Sequence, residues 1–155
     1  IEQPVLKPLN WLAIPLGPLL YVMNWQSYWN GSMHAAVRFT SFTGQQSPQQ
    51  LDHAAYLGAK AWPPHVARGN LAAMDFDGQG ALTCLESPLQ IIGAKHDRVT
   101  KPEASRRIAE LAVTSNLTFV EGGHLALWEF EKDVTAILDQ FVSSLHRQEA
   151  VTPSI

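Results

Sequence analysis

Residues 88–111 read PLQIIGAKHDRVTKPEASRRIAEL, and residues 117–124 read LTFVEGGH. Each stretch has a short apolar run followed by a glycine-containing turn that presents one ionisable residue: Leu89 to Asp97 delivers an Asp, Leu117 to His124 a His. Short apolar runs bounded by turn signals suit buried strands. Thr100 to Val113, between them, carries the marks of a helix. Thr100 can cap, Glu103 can complete a capping box, Pro102 falls in the first turn, and Ala104, Ile108 and Leu111 share a face. The order strand, helix, strand predicts an α/β fold with a right-handed crossover and two parallel strands.

Both loops then emerge at the carboxyl ends of the strands, where open α/β sheets place their ligands. Neighbouring strands lie about 4.8 Å apart, so a carboxylate and an imidazole on adjacent loops can reach one another. Asp97 and His124 are the candidate catalytic pair, suited to general-base activation of a nucleophile. His96 precedes Asp97 and points to the opposite side of an extended segment, which makes it the poorer base.

The run from Pro88 to Leu111, followed by "LTFVEGGHLALWE" and an amphipathic terminal helix, resembles the C-terminal portion of the α/β-hydrolase fold family. The resemblance covers Ser87 to Leu145 well and the preceding residues only loosely, as a cap. It implies that Asp97 stands for the triad acid after the seventh strand and His124 for the base after the eighth. The family's nucleophile sits in a G-x-S-x-G elbow, and no such pentapeptide occurs here: Asn30-Gly31-Ser32 is followed by Met33 and His34, and Ser27, Ser41, Ser47 and Ser87 do no better. The oxyanion-hole loop is missing too. The expectation is a C-terminal part of a larger hydrolase, whose earlier strands, nucleophile and oxyanion hole lie on an N-terminal segment that is its partner. Two parallel strands with open edges need such a partner to fold.

The expected organisation is a helical cap or lid over 1–80, hydrolase core over 81–146 and a disordered tail over 147–155. Leu9 to Met23 is apolar but short of a membrane span and interrupted by Pro15, Gly17 and Pro18, which suits a cap element with an apolar underside. Tyr21, Trp25, Tyr28 and Trp29 recur at helical spacing. Such a stripe packs a core, and Trp25, Tyr28 and Trp29, with Leu125 beside the base, are the candidate substrate-binding residues for a small hydrophobic, ester-like ligand. Asn30-Gly31 ends that helix, Ser47-Pro48 starts another carrying Leu51, Ala54, Ala55 and Leu57, and Pro63-Pro64 ends it. His65 to Met74 reads as helix again. His34, His53 and His65 have no evident partners. Leu125, Leu127 and Trp128 could floor the imidazole. Val134, Ile137, Leu138, Phe141, Val142 and Leu145 mark the last helix.

A net charge of −3 with no basic run beyond Arg106-Arg107 argues against nucleic-acid binding. The six histidines are scattered and one cysteine, Cys84, stands alone, so metal-ligand spacing and an intrachain disulfide are both absent. No cofactor is expected, and the lone thiol fits a reducing, cytoplasmic setting. The function expected from the resemblance is hydrolysis of a carboxylic ester or related acyl substrate by a Ser-His-Asp triad. The alternatives are an acyltransferase, C–C hydrolase or epoxide hydrolase of the same fold, a non-catalytic relative that binds a small hydrophobic ligand, and an independent βαβ interaction module.

Overall fold

The computed structural model describes residues 3–151, with side chains from 5 to 147. The described residues divide into two compact units: one holds 3–39 and 47–78, the other 40–46 and 79–151. Residues 40–46 lie inside the stretch expected to belong to the cap, yet they group with the second unit.

The first unit is helical: α1 (Gln3–Ala13), α2 (Gly17–Trp29), α3 (Ser32–Ser41), whose last two residues cross into the second unit, α4 (Pro48–Lys60) and α5 (Pro63–Asp75). Proline and glycine set the boundaries. The break at 14–16 contains Pro15, and α1 and α2 diverge there by 98°. No single described helix is long and apolar enough to cross a membrane. At the other end of α2, Asn30 donates its N–H to Gln26 O, and Gly31 adopts φ +83°, the left-handed conformation that glycine takes without a Cβ penalty. A capping box opens α4: the Gln50 N–H donates to Ser47 Oγ at 3.1 Å, and the Ser47 N–H to Gln50 Oε1 at 2.7 Å. Helix α5 packs on α1 and α2, and α4 on α2. Lys7 pairs with Asp75 at 2.6 Å across α1 and α5. Gly17 lies so close to Pro64 that a Cβ would come within 2.3 Å of its Cγ.

The second unit continues with α6 (Gln79–Thr83), β1 (Leu89–Ala94), α7 (Pro102–Leu111), β2 (Ser115–Val120), α8 (Ala126–Glu129) and α9 (Glu131–Val151). Strands β1 and β2 pair in parallel, Leu89 opposite Ser115 through to Ala94 opposite Val120. Alternation along the strands sends Ile92, Ala94 and Val120 to one face, where they pack with Ala126, Val134 and Ile137 of α8 and α9. Gly93 and Phe119 face α7: a Cβ on Gly93 would meet the Phe119 ring at 2.5 Å and Ser105 Oγ at 3.1 Å. The Arg106 guanidinium stacks 5.0 Å from the Phe119 centroid. The sheet is thus one layer between helices, the α/β arrangement expected.

Two local expectations change. Helix α7 begins at Pro102 with Lys101 as N-cap and no side-chain capping bond: Thr100 lies one residue before the cap, its hydroxyl donates to Asp97, and Glu103 pairs with Arg106. Helix α9 runs to Val151, past His146 where a disordered tail was expected to begin. The rest of that expected tail, 152–155, lies outside the described residues.

Candidate active site

The hydrogen-bond ladder does not stop at Ala94 and Val120. Lys95 N–H donates to Val120 O at 3.0 Å, and His96 N–H to Gly122 O at 3.1 Å. This zipping carries the two loops out side by side, leaving Asp97 one residue beyond the last pair on its strand and His124 two beyond on the other. His124 Nδ1 lies 3.0 Å from Asp97 Oδ2. His96, as the alternation requires, turns elsewhere and stands 3.4 Å from Glu121 Oε2; Lys95 also pairs with Glu121, and that ammonium holds the Glu121 carboxyl below the usual range.

Asp97 is held from several sides. Oδ1 accepts the N–H groups of Val99 at 2.7 Å and Thr100 at 2.8 Å, and Oδ2 accepts the Thr100 hydroxyl at 2.8 Å. This is a local side-chain-to-backbone turn of the kind aspartates favour. Its side chain is 9% exposed against 38% for His124. Burial pushes the Asp97 carboxyl up, but the hydrogen bonds from His124, from the Thr100 hydroxyl and from the two amides outweigh it, and its pKa lies below that of an ordinary aspartate. An ionised carboxylate can only accept, so Nδ1 of His124 carries the proton in the neutral ring and Nε2 carries the lone pair. Nε2 has no hydrogen-bond partner among the described residues. The arrangement is a partly exposed imidazole, fixed in one tautomer, with its basic nitrogen available.

The pair opens on a cavity of about 390 Å³ lined by Asp97, Thr100, His124, Ala94, Leu127 and Leu138 among others. Leu127 is in this lining. Leu125 is not; it is half-buried, and its N–H donates to Ser41 O at 2.9 Å.

The Gly122-Gly123 pair that precedes His124 serves close approach rather than unusual backbone angles. A Cβ on Gly122 would fall 2.4 Å from Ala126 Cβ, and one on Gly123 would fall 2.7 Å from Ser41 O. Neither glycine has a positive φ.

Trp25, Tyr28 and Trp29 belong to the helical unit. Trp25 sits at the centre of an aromatic cluster, with ring centroids of Tyr21, Tyr28, Trp29 and Tyr56 between 5.9 and 6.4 Å away. Trp29 is 77% exposed, so this end of the stripe is not core. Tyr28 donates its hydroxyl to Asp52 Oδ1 at 2.9 Å, and His34 Nε2 meets the same oxygen at 3.1 Å. His34 therefore has a partner that the sequence did not reveal, and His53 contributes to the field on Asp52. The bonds from His34 and then Tyr28 hold Asp52 below the usual carboxylate range, while the bond to Asp52 raises the Tyr28 phenol. Among the described residues no three His, Cys, Asp or Glu side chains form a group that could hold a metal ion.

Thr100 was legible only as a helix cap; the D-x-x-T spacing of Asp97 and Thr100 is the signal for its actual role. Ser41, whose carbonyl accepts the Leu125 N–H, and Glu129, whose carboxylate accepts the Thr43 and Gln45 N–H groups, join segments more than eighty positions apart and left no signal in the sequence.

No family profile matches this sequence, and no curated protein does. Solved structures do. A thermophilic esterase from Thermogutta terrifontis, with malate bound, superposes with a TM-score of 0.68 at 16% identity, over 94% of this chain and 52% of that one. The enol-lactonase from Burkholderia xenovorans LB400 superposes with a TM-score of 0.65 at 19% identity, over 81% of this chain and 51% of that one. The chain thus spans about half the length of either enzyme. Its two parallel strands with their flanking helices, preceded by a mostly helical segment, form a C-terminal portion of an α/β-hydrolase-like fold.

Proposed function

We propose that this chain carries the acid and base of a hydrolase of the α/β-hydrolase type, acting on a carboxylic ester or a related small hydrophobic acyl substrate. The observation that carries the reading is the 3.0 Å contact between Asp97 Oδ2 and His124 Nδ1 at the carboxyl ends of two parallel strands. The esterase and enol-lactonase likenesses support it at the level of fold. A serine supplied by a segment outside this chain attacks the carbonyl carbon. His124 Nε2 takes its proton as the oxygen–carbon bond forms, and returns that proton to the leaving alcohol as the tetrahedral intermediate collapses. Asp97 keeps the ring in its tautomer and stabilises the imidazolium between the two transfers. The helical unit carries apolar surface of its own at Trp25, Tyr28 and Trp29, of which Trp29 is the most exposed.

The two-stranded sheet supports the need for the partner segment, since so small a sheet is marginal in water, and no large side chain among the described residues is fully buried. The test is labelling of the intact protein with a fluorophosphonate, which reacts at an activated serine, beside His124→Ala. Labelling that is abolished in His124→Ala supports the triad; labelling at the wild-type rate without the imidazole sinks it.

A further inference from the structure

Five residues after His124, the Glu129 carboxylate reaches a segment 84 positions earlier in the chain and accepts the Gln45 N–H at 2.7 Å through Oε1. The Thr43 N–H donates to the same carboxylate, at 2.9 Å to Oε1 and 3.0 Å to Oε2. The segment so held, 41–45, lies against the imidazole loop in the second unit. Both chain neighbours of His124 touch it. The Leu125 N–H donates to Ser41 O at 2.9 Å, and Gly123 approaches that same carbonyl so closely that a Cβ would stand 2.7 Å from it. Phe42 anchors the strap with 6% of its surface exposed, and Gly44 turns it at φ +109°, a conformation other residues rarely adopt.

We propose that Glu129 is a positioning residue for the base: by gripping the Thr43 and Gln45 amides it holds the strap 41–45 in place, and the strap, through Ser41 O, sets the position of the His124 loop. The proposal rests on His124 being the base of the proposed hydrolase. A carboxylate is the group this needs. It accepts through both oxygens and donates nothing, whereas a carboxamide in the same place would turn an N–H₂ donor toward the Thr43 N–H. A base must sit within hydrogen-bond reach of the proton it takes, so small shifts in its loop lower the rate without weakening substrate binding.

The experiment is Glu129→Gln in the intact protein, with Glu129→Asp as a second variant that keeps the charge but is one methylene too short. Amide hydrogen exchange at Thr43, Gln45 and Leu125, the Nδ1 proton signal of His124, and hydrolysis of p-nitrophenyl acetate are measured together. Faster exchange at all three amides, a broadened Nδ1 signal and a kcat lowered roughly tenfold at nearly unchanged KM are expected, a smaller loss than the ~100-fold that a 1 Å misplacement can cost. An unchanged kcat in both variants, in a protein that His124→Ala inactivates, overturns the positioning role and leaves the hydrolase reading standing. A fully active His124→Ala variant overturns the hydrolase reading. In that event a sharp, unshifted Nδ1 signal in Glu129→Gln overturns the positioning role as well, and a broadened one upholds the control of the loop by the clamp.

Discussion

The Thr100 hydroxyl and the His124 imidazole share one oxygen of Asp97: Thr100 Oγ1 donates to Oδ2 at 2.8 Å, His124 Nδ1 stands 3.0 Å from it, and the two side-chain atoms are 3.5 Å apart. A threonine one turn beyond the acid thus holds the carboxylate for the histidine. Removing that hydroxyl should raise the Asp97 pKa, since the bond favours the charged form. In Thr100→Val the carboxyl carbon of Asp97, followed by NMR, titrates at higher pH than in the wild type, and unfolding in urea shows a loss of about 1 kcal/mol, typical of one hydrogen bond. An unmoved titration would mean that His124 and the two amides set the carboxylate without the hydroxyl.

Asp97 also predicts a pH dependence of stability. Its folded pKa is depressed, so its contribution is complete above the unfolded value of about 3.9 and is lost as pH falls through the folded one. The stability gap between wild type and Asp97→Asn should therefore shrink as pH is taken below about 4. A gap that widens on acidification contradicts the sign of the shift. Under the proposed triad reading, Asp97→Asn should also cost about 10⁴ in kcat by admitting the wrong tautomer.

Gly123 tests the strap from the steric side. An added methyl would fall 2.7 Å from Ser41 O and 3.1 Å from Ser41 C, backbone atoms that cannot step aside as a flexible side chain would. Gly123→Ala should lower stability by about 1 to 3 kcal/mol, the usual range for overpacking. Calorimetry showing no change would mean that the strap moves freely.

In the helical unit, Ser47→Ala removes the capping box at α4. A loss of about 1 kcal/mol is expected, read as a fall of about 3 °C in the thermal midpoint. Loss of the far-UV helical signal at low temperature would show that the cap does more than terminate the helix.

Asp52 offers a spectroscopic test of the same unit. Tyr28 donates to Asp52 and its pKa is raised by that bond, so Asp52→Asn should bring the phenol down toward about 10. Tyrosinate absorbance on alkaline titration measures it. An unchanged titration would show that the Tyr28 hydroxyl is not held by Asp52 in solution.

What the sequence determined by itself was local. The apolar runs at Leu89 and Leu117, the crossover between them and the proline, serine and glycine boundaries at Asn30-Gly31, Ser47-Pro48 and Pro63 follow from periodicity and turn chemistry within a few residues. Because a parallel crossover brings both strand ends to one edge, Asp97 and His124 could be named as partners before any coordinate. Tertiary structure decided what short spacing cannot encode. The register of β1 on β2 put the two side chains 3.0 Å apart. Helix α7 starts one residue later than a Thr100 cap requires, with Lys101 at the N-cap, and the Thr100 hydroxyl donates instead to the ionised Asp97 carboxylate, a stronger bond than one between neutral groups. The strap of 41–45 under the His124 loop, and the Asp52 contacts of His34 and Tyr28, join residues distant in the chain. Their pairing depends on where whole helices and loops pack, and no local pattern carries that.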